Sequence, residues 1–150
     1  MPRGEMRLFV CRAGRYFGDR VSRELIGMKC IRDGGLEPYL FKQFECGENK
    51  QHGIERSVRG ADVYIFQSGT RDSDLRTSVD DNFMELCRFV DGMHHASAGS
   101  ITAVMPLMPY SRQDKLWERG EPFTAKLMAE MLEAAGATRF MTLELHSDQI

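Results

Sequence analysis

The chain has 150 residues, 42% of them hydrophobic, which is enough apolar surface for one ordinary core. Its 20 basic and 22 acidic side chains nearly cancel, so no overall field favours nucleic acid or an anionic membrane. The 4 cysteines form no CxxC pair, and no apolar run is long enough for a signal peptide or a membrane span. We therefore expect one cytoplasmic globular domain with reduced thiols that binds neither nucleic acid nor membrane.

The first sixty residues carry only a weak pattern. Residues 6–11 are apolar enough for a strand, and residues 20–26 have the spacing of a helix behind it. Three later runs, rich in β-branched and aromatic residues, predict strands buried on both faces, namely 63–66, 101–105 and 139–145. The polar segment 69–79 follows the first of these strands, and it predicts a surface loop at the functional edge of a sheet or a mobile insertion.

Two segments with the apolar spacing of a helix lie between the three later strands. Between the first two, Asp81 or Asn82 is placed to cap a helix whose apolar positions are Phe83, Leu86, Phe89 and Val90. Between the second and third, a helix should begin near Pro122 and stop at Gly136, with apolar positions Leu127, Met131 and Leu132. Strands that alternate with helices predict an α/β fold, in which helices cover the faces of a parallel sheet.

A basic loop follows the second of these strands. In an open parallel sheet, ligands bind outside the carboxyl ends of the strands. The segment PLMPYSRQDKLWERGEP lies there and carries Arg112, Gln113, Asp114, Lys115 and Arg119. Arginine can bind phosphate oxygens in pairs, lysine adds a compact charge, and the N-terminus of the next helix offers free N–H groups. The loop is therefore a phosphate site or a solvated charged turn, and its composition favours neither.

Glu144 and His146 lie two positions apart near the end of the third strand, where alternation puts both side chains on one face. Such a pair can share a divalent cation or hold its water shell, and magnesium normally accompanies transferred phosphates. A hydrogen-bonded structural pair is the commoner alternative. The sequence contains no G-x-x-x-x-G-K-[ST] loop, which argues against an ordinary P-loop kinase.

Five segments, in chain order, carry a resemblance that spans most of the chain from Ile54 onward: SVRGADVYIFQS, DNFMELCRFVDG, ASAGSITAVMPLMPYSRQDK, EPFTAKLMAEMLEAAGA and TLELHSDQI. Together they resemble the amino-terminal half of ribose-phosphate pyrophosphokinases, the PRPP synthetases. The resemblance implies a phosphoribosyltransferase-like, Rossmann-like parallel sheet flanked by helices. It also implies Mg²⁺-dependent transfer of the diphosphoryl group of ATP to ribose 5-phosphate, giving PRPP and AMP. Members of the family form homo-oligomers, from dimers to hexamers, with an ATP site at the subunit interface.

The resemblance also implies roles for individual residues. Arg112, Gln113, Asp114 and Lys115 match the ATP-binding loop of the family. His146 matches a histidine that contacts ATP phosphates and magnesium. Glu144 takes the place of an aspartate at the metal, where it keeps the charge but reaches about one methylene further.

A second matching region lies earlier in the chain. Phe44, Cys46, Gly47 and Glu48 fall where the family has a turn that meets the adenine across the subunit interface. There the phenylalanine would stack on the base. Cys46 replaces an aspartate or asparagine, which removes an acceptor for the adenine amino group.

Other positions match only some members of the family or depart from its usual residues. Ser57 and Arg59 match positions that some members use for a regulatory phosphate, and a plain structural role is as good an interpretation. Leu116 and Trp117 stand where a lysine and an aspartate are usual, so the ATP loop loses charge. Asp148 adds a negative charge near the expected phosphates.

Residues 1–150 are thus interpreted as an amino-terminal domain without the carboxy-terminal domain that carries the ribose-phosphate loop and the catalytic segment of the family. We expect this polypeptide by itself to be inactive, because half of the transition-state stabilisation is missing. The alternative interpretation is a non-catalytic regulatory or binding module, like the PRPP synthetase-associated proteins. Cys46, Trp117 and Asp148 favour that alternative.

Overall fold

The computed structural model describes residues 4–31, 34–116 and 118–145. Its central sheet has four parallel strands in the order β1-β4-β5-β6, namely β1 (Met6–Val10), β4 (Asp62–Phe66), β5 (Ser100–Val104) and β6 (Arg139–Met141). Three helices accompany the sheet, namely α1 (Arg15–Gly27), α2 (Val79–His95) and α3 (Thr124–Ala134). A separate antiparallel hairpin consists of β2 (Leu40–Gln43) and β3 (Asn49–His52). The predicted α/β class, a parallel sheet flanked by helices, is confirmed.

The two faces of the sheet pack against different helices. One face contributes side chains such as Phe9 and Ile65 to a core with α2 and α3, including Phe89 and Leu132. The other face, which includes Val10 and Phe66, packs against Phe17, Val21 and Leu25 of α1. Because successive strand residues point to opposite faces, near-continuous apolar runs are needed in β1, β4 and β5, which are covered on both sides.

The direction of the chain along the sheet explains this division of the helices. After α1 the chain pairs Leu36 with Leu8 in parallel, on the side of β1 away from β4. The later crossovers run the other way, from β4 to β5 and then to β6. Parallel crossovers are almost always right-handed, so crossovers in opposite directions put their helices on opposite faces.

The predicted third strand is shorter than expected. It ends at Met141, whereas the apolar pattern extended it to residue 145. Beyond it, the N–H groups of Leu143 and Glu144 both donate to the carbonyl oxygen of Pro106, at 3.1 and 3.0 Å. A parallel bridge then joins Leu107 to Glu144. The two segments therefore stay side by side without continuing the regular ladder.

The predicted N-cap of α2 is wrong. Ser78 caps the helix, because its hydroxyl accepts from the N–H of Asp81 at 3.1 Å and the Asp81 carboxylate accepts from the N–H of Ser78 at 2.8 Å. This is a capping box. The N–H and the hydroxyl of Ser78 both donate to the Asp81 carboxylate, at 2.8 and 2.7 Å, and these two hydrogen bonds lower the pKa of Asp81. Asn82 is buried inside the first turn, where its side-chain amide donates to the carbonyl of Thr70 at 2.7 Å.

The other two helices differ from prediction in extent and in orientation. α1 begins at Arg15, five residues earlier than the pattern indicated. α3 ends before Gly136, as predicted, and Gly136 has a φ of 104° that favours glycine. Leu127 does not face the core, since it is 48% exposed, and the buried side chains of α3 are those of Ala125, Met128 and Leu132.

No helix within the described residues combines the length and apolar character needed to cross a membrane.

Candidate functional site

A cavity of about 390 Å³ lies at the carboxyl edge of the sheet, between the loop after β5 and the segment after β6. It is lined by Gly69, Val79, residues 107–113, Glu144 and Leu145. We call residues 110–113 the arginine loop. The cavity lies where open parallel sheets bind their ligands, beyond the carboxyl ends of the strands.

The first residue of the arginine loop is fastened to α2. Tyr110 has a φ of 57°, a left-handed conformation that is uncommon for a bulky residue. Its hydroxyl group donates to Oδ1 of Asp80 at 2.6 Å, and Asp80 lies in the first turn of α2. This hydrogen bond, together with partial burial, raises the pKa of Tyr110. The sequence does not signal this contact, because tyrosine is not a residue that indicates a left-handed turn.

The last residue of the arginine loop is fastened to α3. The N–H of Gln113 donates to the carbonyl of Tyr110 at 2.8 Å, which closes the turn. The carbonyl of Gln113 accepts from the N–H of Ala125 at 3.3 Å, and its side-chain oxygen accepts from the hydroxyl of Thr124. One of the N–H groups expected to be free at the start of α3 therefore already has a hydrogen-bond acceptor. Gln113 has a structural partner here, and its contact with ATP stays a prediction.

Arg112 lies between these two anchors. Its side chain is exposed on the cavity, and within the described ranges it has no hydrogen-bond or ion-pair partner. A guanidinium group in that state presents its planar fork of N–H groups to an anion. Asp114 and Lys115, which follow, do have interactions within the chain, and their predicted contacts with ATP stay predictions.

Glu144 lines the same cavity as Arg112. Its backbone is held by Pro106, and its carbonyl oxygen accepts from the hydroxyl of Thr142 at 3.2 Å. The strand alternation that predicts the position of Glu144 does not apply, because β6 has already ended at Met141. The bridge to Leu107 brings Glu144 to the cavity instead. His146 and Asp148 lie outside the described residues, as does Trp117, so these predictions are untested.

The side chains at the cavity are compatible with magnesium held partly by a substrate. Among the described residues, no group of three or more histidine, cysteine or acidic side chains converges on one point. Mg²⁺ commonly uses one or two protein carboxylates and completes its octahedron with waters and phosphate oxygens. Glu144, on a cavity that Arg112 also lines, fits this mode, and the described residues offer no cage of protein ligands alone.

The predicted turn at residues 44–48 is the tip of the β2–β3 hairpin. The N–H of Phe44 donates to the carbonyl of Glu48 at 2.7 Å, and the N–H of Gly47 to the carbonyl of Phe44 at 2.9 Å. Gly47 has a φ of 92°, which favours glycine there. Phe44 is 39% exposed, and Cys46 is exposed as well. None of these residues lines the cavity beside Arg112 in the same chain.

The hairpin itself was not predicted, and it is held by contacts with the rest of the domain. The guanidinium group of Arg12 lies 4.0 Å from the ring centre of Phe41 in β2. In β3, Asn49 accepts from Arg88 of α2 at 2.6 Å. Polar strands such as NKQH give no sequence signal of their own, because neighbours that are distant in sequence stabilise them.

Ser57 and Arg59 lie at the opposite edge of the sheet, just before β4. The N–H of Arg59 donates to the hydroxyl of Ser57 at 3.3 Å, and both residues are exposed. They are separated from the cavity by the length of a strand, roughly 16 Å at ~3.3 Å per residue. Any anion bound there is distinct from one bound by Arg112, and the regulatory phosphate site stays a prediction.

Comparison with known proteins agrees with the geometry. The family model described as the N-terminal domain of ribose phosphate pyrophosphokinase matches residues 6–136. Ribose-phosphate pyrophosphokinase 2 of Enterococcus faecalis is 49% identical over 145 residues, which make up 97% of this chain and 41% of that protein. Ribose-phosphate pyrophosphokinase 1 of Streptococcus pneumoniae is 38% identical over 150 residues, which are 100% of this chain and 42% of that protein.

A solved structure shares the fold. The crystal structure of phosphoribosylpyrophosphate synthetase from Mycobacterium smegmatis has a TM-score of 0.82 and 32% identity, covering 97% of this chain and 44% of that one. The predicted phosphoribosyltransferase-type fold is thereby confirmed. The chain spans about two fifths of the length of the curated relatives it matches. It therefore belongs to the ribose-phosphate pyrophosphokinase family and corresponds to the amino-terminal half of its members.

Proposed function

We propose that this chain is the nucleotide-binding half of an enzyme that transfers the diphosphoryl group of Mg-ATP to ribose 5-phosphate. In this reaction the anomeric oxygen of the sugar bonds to the β-phosphorus, the bridge between the α- and β-phosphates breaks, and AMP leaves. The observation that carries the proposal is that Arg112, whose side chain has no partner among the described residues, lines the same cavity as Glu144 in a chain of this family.

Arg112 has the chemistry to grip the polyphosphate. Its fork of N–H groups can bind two phosphate oxygens at once. Phosphoryl transfer depends mostly on positioning and on the stabilisation of charge spread over those oxygens, so a fixed cation contributes to both. Lys115 and Asp114 follow directly and complete the proposed ATP loop with Gln113.

Glu144, with His146 two positions later in the sequence, would hold the magnesium ion. A magnesium ion held there would supply positive charge to offset that of the transferred phosphates. The protein residues orient the nucleotide, and Glu144 supplies the hard oxygen ligand that Mg²⁺ prefers. A glutamate in place of the aspartate of the family keeps that ligand.

We propose further that a second copy of the chain completes the site. The hairpin tip projects Phe44 to solvent, and it does not line the Arg112 cavity of its own chain. A homo-oligomer that brings the tip of one subunit to the cavity of another would place Phe44 against the adenine. Cys46, Gly47 and Glu48 would then border the base.

The rest of the reaction requires parts outside residues 1–150. The relatives are more than twice as long as this chain, since the matched region is 41% and 42% of their length. We propose that a carboxy-terminal domain supplies the ribose-phosphate loop and the catalytic segment, so that the 150-residue polypeptide alone forms no PRPP. A phosphate site at Ser57 and Arg59, at the other edge of the sheet, would serve regulation.

Calorimetry tests the proposal on the protein at its full natural length. Arg112→Ala should weaken Mg-ATP binding by about 1.5 to 3 kcal/mol, the range for hydrogen bonds between charged groups, or roughly 10- to 100-fold in Kd. Arg23→Ala, which removes an exposed arginine of α1, is the matched control and should leave the Kd unchanged. Unchanged affinity in Arg112→Ala would refute the assignment.

A second candidate is a non-catalytic regulatory or binding module with the same fold. The exposed thiol of Cys46 at the hairpin tip favours it, because a thiol is a poor acceptor for the adenine amino group. PRPP formation by the full-length protein separates the two candidates. An enzyme yields AMP and PRPP in equal amounts, whereas a module binds without turnover.

A further inference from the structure

We propose that Tyr110 and Asp80 are positioning residues, which hold the arginine loop so that Arg112 is presented to the bound phosphates. The inference rests on the proposed function of Arg112 and extends it to two residues that need not touch the nucleotide. The side chains of Tyr110 and Asp80 act on Arg112 through the backbone of the loop.

The backbone conformation of Tyr110 needs a compensating contact. Its φ of 57° is disfavoured for a large side chain, and such conformations persist only where the surrounding structure holds them. The hydroxyl group of Tyr110 supplies a contact of that kind, since it donates to Asp80 at 2.6 Å. Hydrogen bonds to a carboxylate are shorter and stronger than those between neutral groups.

Asp80 is itself fixed by a regular element. It lies in the first turn of α2, between Ser78 and Asp81, whose reciprocal hydrogen bonds form the capping box. The other end of the arginine loop is joined to the start of α3 through Gln113 and Thr124. The loop therefore spans the N-terminal ends of two helices, and the hydroxyl of Tyr110 is its side-chain link to the first of them.

The bond between Tyr110 and Asp80 affects the position of Arg112 more than its charge. Arg112 is exposed and has no partner among the described residues, so the backbone of the arginine loop determines the position from which its side chain extends. Without the link to Asp80, the left-handed conformation at Tyr110 can relax. That change would displace Arg112, which lies two residues after Tyr110 in the chain. Sites that bind or react with a ligand lose affinity when such placement is lost.

Calorimetry with Mg-ATP on the full-length protein tests the inference through four variants. Tyr110→Phe removes one hydroxyl and should weaken binding about five- to tenfold, as should Asp80→Ala. Asp80→Asn keeps a carbonyl acceptor and should stay within about threefold of the wild type. The matched control is Tyr16→Phe, because the Tyr16 hydroxyl also has a charged partner, Arg20, at 2.8 Å, but lies on α1.

A double-mutant cycle separates positioning from a general loss of stability. In an Arg112→Ala background, Tyr110→Phe should cause no further loss of affinity, because the residue it positions is gone. An additive loss would assign Tyr110 a separate structural role and overturn the inference. Wild-type affinity in Tyr110→Phe or in Asp80→Ala would overturn it as well, and the Asp80 variants decide if Tyr110→Phe does not fold. Failure of the wild type to bind Mg-ATP would instead refute the proposed function.

Discussion

The guanidinium group of Arg12 lies 3.0 Å from the carboxylate of Glu85, and the Glu85 side chain has no exposure to solvent. The N–H of Arg12 also donates to this carboxylate at 3.0 Å. Since Arg12 stacks on Phe41, the pair joins the end of β1, the middle of α2 and the hairpin that presents Phe44. A buried charge thus links the sheet to the hairpin tip that the proposed function requires.

We predict that Arg12→Ala lowers the free energy of unfolding by about 3 to 5 kcal/mol, because it leaves the Glu85 carboxylate buried and unpaired. Chemical denaturation by urea, followed by circular dichroism, measures the change. Lys126→Ala, which breaks an exposed pair with Glu130, is the control and should cost less than about 1 kcal/mol. Replacing both Arg12 and Glu85 by leucine should restore much of the loss, since the charge is removed together with its partner. Equal effects in Arg12→Ala and in the control would contradict the prediction.

The capping box of α2 provides a second test. Ser78→Ala removes the hydroxyl that accepts from Asp81, and it should destabilise the domain by about 1 kcal/mol in thermal or urea unfolding. Ser73→Ala, an exposed change in the preceding loop, should have little effect. The N–H and the hydroxyl of Ser78 donate to the Asp81 carboxylate and lower its pKa, so the stability that these bonds contribute is present above the ordinary carboxyl pKa and is lost as the pH falls through the lowered pKa of the folded state. A Ser78→Ala variant as stable as Ser73→Ala would show that the cap contributes nothing.

The four cysteines should differ sharply in reactivity. Cys30 and Cys46 are exposed, whereas Cys11 and Cys87 are buried. Burial raises the pKa of the Cys87 thiol to about 11 and raises that of Cys11 well above its ordinary value. Because the thiolate is the reactive form, iodoacetamide at pH 8 should modify Cys30 and Cys46 first. Mass spectrometry of peptides locates the label, and equally fast native labelling of Cys87 would be incompatible with this burial.

Stability should decline in alkaline solution. Burial raises the pKa of Cys87 from 9.0 to about 11, and hydrogen bonding to Asp80 raises the pKa of Tyr110 above 10.0. Groups with a raised pKa bind their protons more tightly in the folded state, so their contribution is complete below the unfolded pKa values and disappears as the pH rises through the folded ones. Urea midpoints should therefore fall from about pH 9 upward. Cys87→Ala should flatten part of that slope, and an unchanged slope would exclude Cys87 as a contributor.

The elements that sequence patterns predicted well are the buried ones. β4 and β5 are near-continuous apolar runs because helices cover both of their faces, and such runs are visible in one dimension. The hairpin carries no such signal, since β2 and β3 expose most of their side chains and are stabilised by contacts with α2 and Arg12. Helical spacing predicts Leu127 in the core, yet it is exposed, because the buried side of α3 is the one that carries Ala125 and Met128.

The family, the parallel α/β fold and the candidate anion-binding residue Arg112 follow from the amino-acid sequence alone, because they depend on short motifs such as YSRQDK and on local periodicity. Other relationships are visible only in the folded chain, where Tyr110 bonds to Asp80, Thr124 bonds to Gln113 and Glu144 borders the cavity of Arg112. These relationships join residues 11 to about 30 positions apart, across helix ends and neighbouring strands. The folding of the whole chain brings such residues together, and local conformational preferences do not.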